Sequence, residues 1–374
     1  KTKNPKVKPS LAFLKKGKKM FPSETALPQL APPASALNNS GEPIPGARTD
    51  NTSSVKFIRV GGNNYPYVSA QAVRYWLRNT LETTDEIEWR PSPVHREEKV
   101  AYVDGNPLIY WDDDLLGYMR APSKRSKKED ESALTPLEDE QGKPTTVTRA
   151  SPLRVSTFVS IAPVSITVDY STMSRQDGDP VPYEHQFYRA TLQGLISLDL
   201  NMAGKFYYRR RTGFQNLDAV RRKMAEEQGL EHLEDEKAYR LNRAERLQRV
   251  QSLLYGLSRL QGGAKQAIHY TDVSPAVTIL AVTTGGNHPF NYLFKERGGQ
   301  PQFQEEAFAA TLEDARDQLL SPVFVGWKPG YLPEEQAKAA RVSMDGVQIG
   351  FSTPRAAFEN LAGWLAQNQE VWDA

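Results

Sequence analysis

Three polar side chains recur along one short stretch at a spacing that places them on a single side of a helix. Gln71, Arg74 and Arg78 stand three and four residues apart, as neighbours on one helical face do. An amide and two guanidinium groups so arranged suit the oxygens of a phosphate. Ser69 precedes them, where its hydroxyl can accept a backbone N–H of the first turn, and a helix start also offers free donors and a partial positive charge to an anion. The element that must hold them runs from Val68 to Leu81. In it Ala70, Val73, Leu77 and Leu81 repeat at helical spacing and belong to a core. An amphipathic surface helix with solvated arginines fits the same pattern, so the rest of the chain has to decide.

Two further basic groups point the same way. Lys205, Arg209, Arg210 and Arg211 interleave with Phe206, Tyr207, Tyr208 and Phe214, a mixture that holds phosphates by charge and bases by ring contact; a strand with one wet face is the alternative. Gly262-Gly263 stops a helical stretch and reads as a C-cap, while the same geometry exposes backbone donors beside Lys265. Arg240, Arg243, Arg246 and Arg249 form a stripe whose step of three drifts around a helix, so they read as solvated.

Catalytic groups are scarce. There is no cysteine and no Gly-x-Ser-x-Gly, and His95, His185, His232, His269 and His288 sit in unrelated contexts. Neither Gly262-Gly263 nor Gly285-Gly286 has Walker spacing. Asp112, Asp113 and Asp114 are the metal candidates, since adjacent carboxylates can ligate magnesium. On a strand, however, at most two of them face one way. No catalytic residue, metal or cofactor is therefore expected.

Composition limits the alternatives. In 374 residues, 47 basic side chains nearly balance 45 acidic ones, for a net charge of +2, so any nucleic-acid surface must be local. No run of eighteen apolar residues occurs, and the lysine-rich start lacks the apolar segment of a secretory signal. A cytoplasmic protein with no membrane partner is the expectation.

Strands and helices alternate in a pattern that fits an α+β body. Residues 1–36, lysine-rich and then Pro-Ala-rich, read as a flexible arm, and Ala121 to Ala150 as a mobile insertion. Ser151 to Tyr170 and Pro180 to Leu200 carry strand character and suggest a long hairpin. Its connection, Ser171 to Pro182, is too long and broken for a tight turn, and so protrudes. Asp218 to Leu260 reads as largely helical, Ala276 to Thr284 as a buried strand, Val323 to Trp327 as another, and Pro354 to Gln367 as an amphipathic helix with Phe358, Leu361 and Leu365 inward.

Four separated blocks then carry a resemblance. Ala36-Leu37-Asn38-Asn39-Ser40-Gly41-Glu42 leads through the basic, glycine-containing stretch from Arg48 to Asn64 into Ser69-Ala70-Gln71-Ala72. Trp111 to Met119 contains Gly117-Tyr118-Met119. Ser151 to Ser156 continues to Asp169 to Arg175, followed by Phe187-Tyr188-Arg189 and Leu198-Asp199-Leu200. The order resembles the CRISPR-associated Cascade backbone subunit, the Cas-seven family of the DevR autoregulator type, in type I systems of the I-B kind.

The resemblance implies an RRM-like (ferredoxin-like) palm with a long β-hairpin thumb and finger and helical insertions. The body would span 37–330, with an insertion at 111–150, the thumb at 151–200 and a helical segment at 218–262, and residues 331–374 would pack on it. A first strand should precede the Asn-Asn loop, either in Ser10 to Leu14 or displaced. The resemblance further implies a non-catalytic subunit that polymerises head to tail on crRNA and presents it to target DNA, beside Cas-five, Cas-six and Cas-eight type subunits and a recruited nuclease or transposition factor. Asn38, Asn39, Arg48, Ser69, Gln71, Arg74 and Arg78 would line the RNA groove, with Arg209, Arg211, Gly262, Gly263 and Lys265 touching RNA as well. Met173 and Arg175 would mark the thumb. A type III-like endoribonuclease using Asp112 to Asp114 and a DNA-binding autoregulator are the alternatives.

Overall fold

The computed structural model of the chain describes residues 24–31, 44–97, 100–122, 134–174 and 177–372. Seven α-helices and several sheets are present among them, an α+β arrangement. The central sheet has nine strands: β1 (Glu24–Ala31), β2 (Phe57–Val60), β3 (Asn63–Val68), β4 (Leu153–Val155), β5 (Phe158–Ser160), β6 (Leu192–Asp199), β7 (Val277–Thr283), β8 (Val323–Trp327) and β9 (Ile349–Ser352). Their spatial order is β9-β8-β7-β1-β6-β5-β3-β2, with β4 also paired to β6. Every pair is antiparallel except β8 with β9.

The position of β1 corrects the flexible-arm reading of residues 1–36 for Glu24 to Ala31; residues 1–23 and 32–36 lie outside the described residues. Its backbone pairs with β6 over all of Glu24 to Ala31 and with β7 on the other side. The ladder to β7 skips Leu27 and Pro28. Proline has no N–H to give, which is why a central strand containing one is hard to see in sequence. Ser10 to Leu14, the other site considered for the first strand, lie outside the described residues.

Strand alternation sorts two cores on opposite faces of the sheet. In β7, Val277, Ile279 and Ala281 join Phe290, Phe303, Phe308 and Trp327 on one side, while Leu280 and Val282 join the helical layer on the other. That layer is built from α1 (Ala70–Thr83), α4 (Arg243–Ser258) and α7 (Pro354–Gln367). Its core includes Val73, Leu77, Leu81, Val250, Leu253, Leu257, Phe358, Leu361 and Leu365. The expected α1 and α7 are therefore present, with Ser69 capping α1 through Ala72 N–H at 3.3 Å. The C-terminal segment is built into the same sheet and core.

Three other expectations are refined. The stretch from Asp218 to Leu260 is two helices, α3 (Ala219–Glu227) and α4, separated by the strands Glu231–Leu233 and Ala238–Arg240. In the segment from Ala121 to Ala150, residues 123–133 lie outside the described ones, but Val147–Arg149 pairs with Tyr118–Arg120, and Arg149 is buried. The 151–200 hairpin also resolves into two parts. β4 and β5 pair with β6 in the central sheet, and a separate hairpin, Thr167–Met173 with Val181–Phe187, is inserted between β5 and β6.

Candidate nucleic-acid interface

The inserted hairpin organises the candidate site. Its register pairs Asp169 with His185, Ser171 with Tyr183 and Met173 with Val181. Cross-strand partners share a face, so these six line one side. Val168, Tyr170 and Met173 are about half exposed along the first strand, and Met173 closes the ladder next to the connection. Arg175 lies outside the described residues.

A segment from residue 44 to 55 runs along the second hairpin strand. Thr52–Ser53 pair with it in parallel, Val55 N–H donates to Gln186 Oε1 at 3.1 Å, and Arg48 N–H donates to Glu184 Oε1 at 2.8 Å. The Arg48 side chain remains exposed. Asn38 and Asn39 lie outside the described residues.

The loop after α4 meets the same hairpin strand. Its entry is fixed on α1, where Gln261 N–H donates to Thr80 Oγ1 at 2.9 Å. Gly262 then passes so close to Trp76 that a Cβ there would sit 2.2 Å from the indole. Gly263 takes φ +110° and Lys265 φ +55°, conformations in which glycine is at ease and lysine is strained. The glycine pair is thus no helix cap, since α4 ends at Ser258; it is a close-approach and turning device. Lys265 Nζ lies 6.0 Å from the Tyr183 ring centroid, and burial lowers its pKa.

His269 completes the junction. Its ring stacks on Phe187 with centroids 5.0 Å apart, and its Nε2 is 2.8 Å from His185 Nε2. Tyr183 stacks on His185 at 5.7 Å, and Asp169 Oδ2 is 3.5 Å from the His185 Nε2. Burial, then Lys265 and His269, lower the pKa of His185 against the opposing pull of Asp169. The two histidines are not in unrelated contexts, as the sequence suggested. The legible signal was the alternation of Val181, Tyr183, His185 and Phe187 on one strand face.

The α1 polar face is elsewhere. Arg74 and Trp76 are about 200° apart around the helix, so the side that touches Gly262 is opposite the side that carries Gln71, Arg74 and Arg78. Gln71 is exposed on the first turn. Arg74 donates to the Leu153 carbonyl at 2.8 Å, to Ser151 Oγ at 3.2 Å and to the Leu116 carbonyl. Desolvation, reinforced by Arg78, lowers its pKa to about 10. Arg78 Nε reaches both Asp112 oxygens at 3.1 Å. Arg74 is therefore an internal clamp, and Arg78 a half-buried ion-pair partner, which corrects the picture of both as open phosphate donors. The cause is the helix α2 (Trp111–Leu116), whose C-terminal carbonyls need donors.

The aspartates themselves sit on α2, not on a strand, and face three different ways. Asp112 holds Arg78; Asp113 Oδ2 accepts from Ser92 Oγ at 2.9 Å and Asn106 N–H at 2.8 Å; Asp114 holds Arg149 at 2.6 Å and Arg249 at 2.8 Å. Among the described residues no three His, Asp or Glu side chains gather to hold a metal ion. The arginine stripe is corrected as well. Arg246 and Arg249 are buried, with Arg246 donating to the carbonyls of Leu200, Ala203 and Trp372. Loop carbonyls trapped in the interior require such donors, and the multidentate guanidinium serves several at once.

In the Lys205 group two of the four rings point inward. Phe206 and Tyr207 are buried in the strand Lys205–Tyr207, and Lys205 pairs with Glu236 at 2.6 Å. Arg209 lies over Tyr207 and donates to the Glu236 carbonyl, and Arg211 lies over Phe214. Phe206 and Tyr207 are buried, so the expected base contacts from them do not stand, while Tyr208 and Phe214 are half-buried. Arg209 and Arg211 stay exposed.

With this geometry in hand, comparison with known proteins places the fold. No family model and no curated protein matches the sequence. A chain of the solved "CRISPR RNA-guided surveillance complex, pre-nicking" superposes over 91% of this chain and 100% of its own, at 11% identity and a TM-score of 0.50. A chain of a second "CRISPR RNA-guided surveillance complex" covers 91% and 99%, at 11% identity and a TM-score of 0.47. The first likeness is one of fold. No helix among the described residues is long and apolar enough to cross a membrane.

Proposed function

We propose that the chain is a non-catalytic backbone subunit of a type I Cascade complex that binds crRNA and leaves its bases free to pair with target DNA. The observation that carries this reading is the strand order β7-β1-β6-β4/β5. In chain order these are the fourth, first, third and second strands, with α1 after the first and α4 after the third. That order matches the split βαβ arrangement and supports reading this part of the sheet as a ferredoxin-like palm. The hairpin Thr167–Met173/Val181–Phe187 sits between the second and third strands, where a thumb belongs, and the fold likeness supports the same assignment.

In this reading Arg48, Gly262, Gly263 and Lys265 approach the RNA backbone beside the thumb, and Met173 lies at its tip. Charge contacts to phosphate position the RNA without reading its sequence, and recognition is left to base pairing. Successive copies join head to tail through a heterologous contact that does not close, so RNA length sets their number. Other Cascade subunits would cap the ends, and a nuclease or transposition factor would be recruited. The carboxylates that would serve an endoribonuclease point apart, and each of Asp112 and Asp114 is engaged by arginine.

Purification under native conditions tests this. The expected result is co-purifying RNA of uniform length, with mass photometry showing multiples of one chain mass on added RNA. Solitary molecules in the presence of excess RNA overturn the reading.

A further inference from the structure

The loop from Gly262 to Thr271 carries a ring that has no part in the phosphate contacts proposed for Arg48 and Lys265. Tyr270 is 90% exposed and its neighbour Ile268 56%, yet the backbone around them is tightly held. The N–H groups of Ile268 and His269 both donate to the Lys265 carbonyl, at 2.9 and 2.8 Å. Thr271 N–H donates to Gln266 Oε1 at 3.1 Å, and Gln266 Nε2 donates in turn to the Gly262 carbonyl. On one side of Tyr270, His269 is bonded to His185 and stacked on Phe187; on the other, Thr271 is buried. A large ring is thus presented to solvent from a backbone that has already given up its freedom, so binding a partner there carries little ordering cost.

The surroundings indicate the partner's chemistry. From Gly262 to Thr271 no carboxylate occurs, while Lys265 and His269 do. The next acid, Asp272, is engaged by Lys328 at 2.6 Å. A rigid exposed ring on a loop that carries a lysine and no carboxylate of its own, with Asp169 across the junction turned to His185 at 3.5 Å, matches a single-stranded nucleic acid, whose base stacks on an aromatic face while its phosphate meets the ammonium.

We propose that Tyr270 is a nucleobase-stacking site for single-stranded RNA, with Lys265 on an adjacent phosphate and the His185–His269 contact positioning the loop. This rests on the RNA-binding reading and adds to it a contact that is indifferent to sequence, because every base has a π-face.

The test measures affinity of the full chain for a mixed-sequence RNA oligonucleotide over a salt series. Tyr270→Ala is expected to weaken binding about 5- to 100-fold with an unchanged salt slope, as stacking contributes but releases no counterion. Tyr270→Phe should bind as the parent does, and Tyr270→Trp should bind with quenched indole emission. An oligonucleotide of abasic nucleotides should lose affinity for the parent and show no further loss with Tyr270→Ala. If the parent binds RNA and Tyr270→Ala binds equally well, the stacking site is overturned and the RNA-binding reading stands. If the parent binds no RNA, both fall.

Discussion

His185 Nε2 and His269 Nε2 lie 2.8 Å apart and join two elements 84 residues distant in sequence. The contact requires one ring to donate and the other to accept, so it tolerates one proton between them and not two. The His185 pKa is lowered below the ordinary value of 6.5, first by burial. A histidine kept neutral in the fold stabilises it fully above its unfolded pKa and loses that contribution as pH falls through the folded one. Hydrogen exchange corrected for intrinsic rate should therefore reveal less protection of residues 265–271 at about pH 5 than at about pH 7.5. His185→Gln should remove the difference; equal protection of the parent at both pH values would refute the latch.

Asp114 bridges two buried guanidinium groups, Arg149 and Arg249, and also accepts from Gly204 N–H at 3.1 Å. Removing it strands two buried charges. Asp114→Ala should cost about 3–5 kcal/mol in urea unfolding, the usual result of breaking a buried pair by deleting one partner. The exposed Arg210→Ala should stay within about 0.5 kcal/mol. A small loss at Asp114 would mean that the network is not formed in solution.

The contrast between these arginines and the expectations for them shows where sequence reading stops. Helices α1 and α7 were legible because helical periodicity determines which side faces a core, and strands β7 and β8 because each is a short apolar run buried on both faces. Arg74, Arg246 and Arg249 were not. A guanidinium on a helix looks the same in sequence whether it meets a phosphate or a buried carbonyl, and the carbonyls concerned lie 42 or more residues away or in other elements. β1 was hidden by Pro28, and the hairpin was merged with β4, β5 and β6 because all five carry strand composition. In the candidate site, Gly262, Gly263 and Lys265 were singled out by their local chemistry. His185 and His269 were missed because only tertiary folding brings them together.

Asp113 has the opposite pH sign from His185. Burial raises its pKa to about 7, against the hydrogen bonds from Asn106 and Ser92 that pull it down. The folded chain then holds a proton that the unfolded chain releases, so stability declines as pH rises from about 4 towards 7, by at most about 1.4 kcal/mol per pH unit for this group. Asp113→Asn should flatten that decline in thermal or urea unfolding. A slope identical to the parent's would assign the titration to other groups.

Gly256 lies within α4, where a glycine ordinarily costs about 1 kcal/mol relative to alanine. Propensity alone therefore predicts that Gly256→Ala stabilises. Packing predicts the reverse, because the added Cβ would lie 2.5 Å from Leu81 Cδ2 on α1. Overpacking of this kind costs about 1–3 kcal/mol and should win. In a double-mutant cycle, Leu81→Ala should recover part of the loss, giving a coupling well above the noise of about 0.5 kcal/mol. Additive effects would show that α1 and α4 adjust freely.

Arg74 and Lys265 should fail in different ways. Arg74 satisfies the Leu153 and Leu116 carbonyls and Ser151 Oγ, so Arg74→Ala leaves buried acceptors bare and should cost about 1–3 kcal/mol of folding stability. Its RNA affinity, measured well below the unfolding transition, should keep the parent salt slope. Lys265→Ala and Arg48→Ala, on exposed or half-buried groups beside the Thr167–Phe187 hairpin, should leave unfolding nearly unchanged and flatten the slope by about 0.7 for each phosphate of single-stranded RNA that is no longer neutralised. The reverse outcome, a flatter slope and an intact unfolding midpoint for Arg74→Ala, would return the α1 face to the RNA site and show that Leu116 and Leu153 find other donors once RNA is bound.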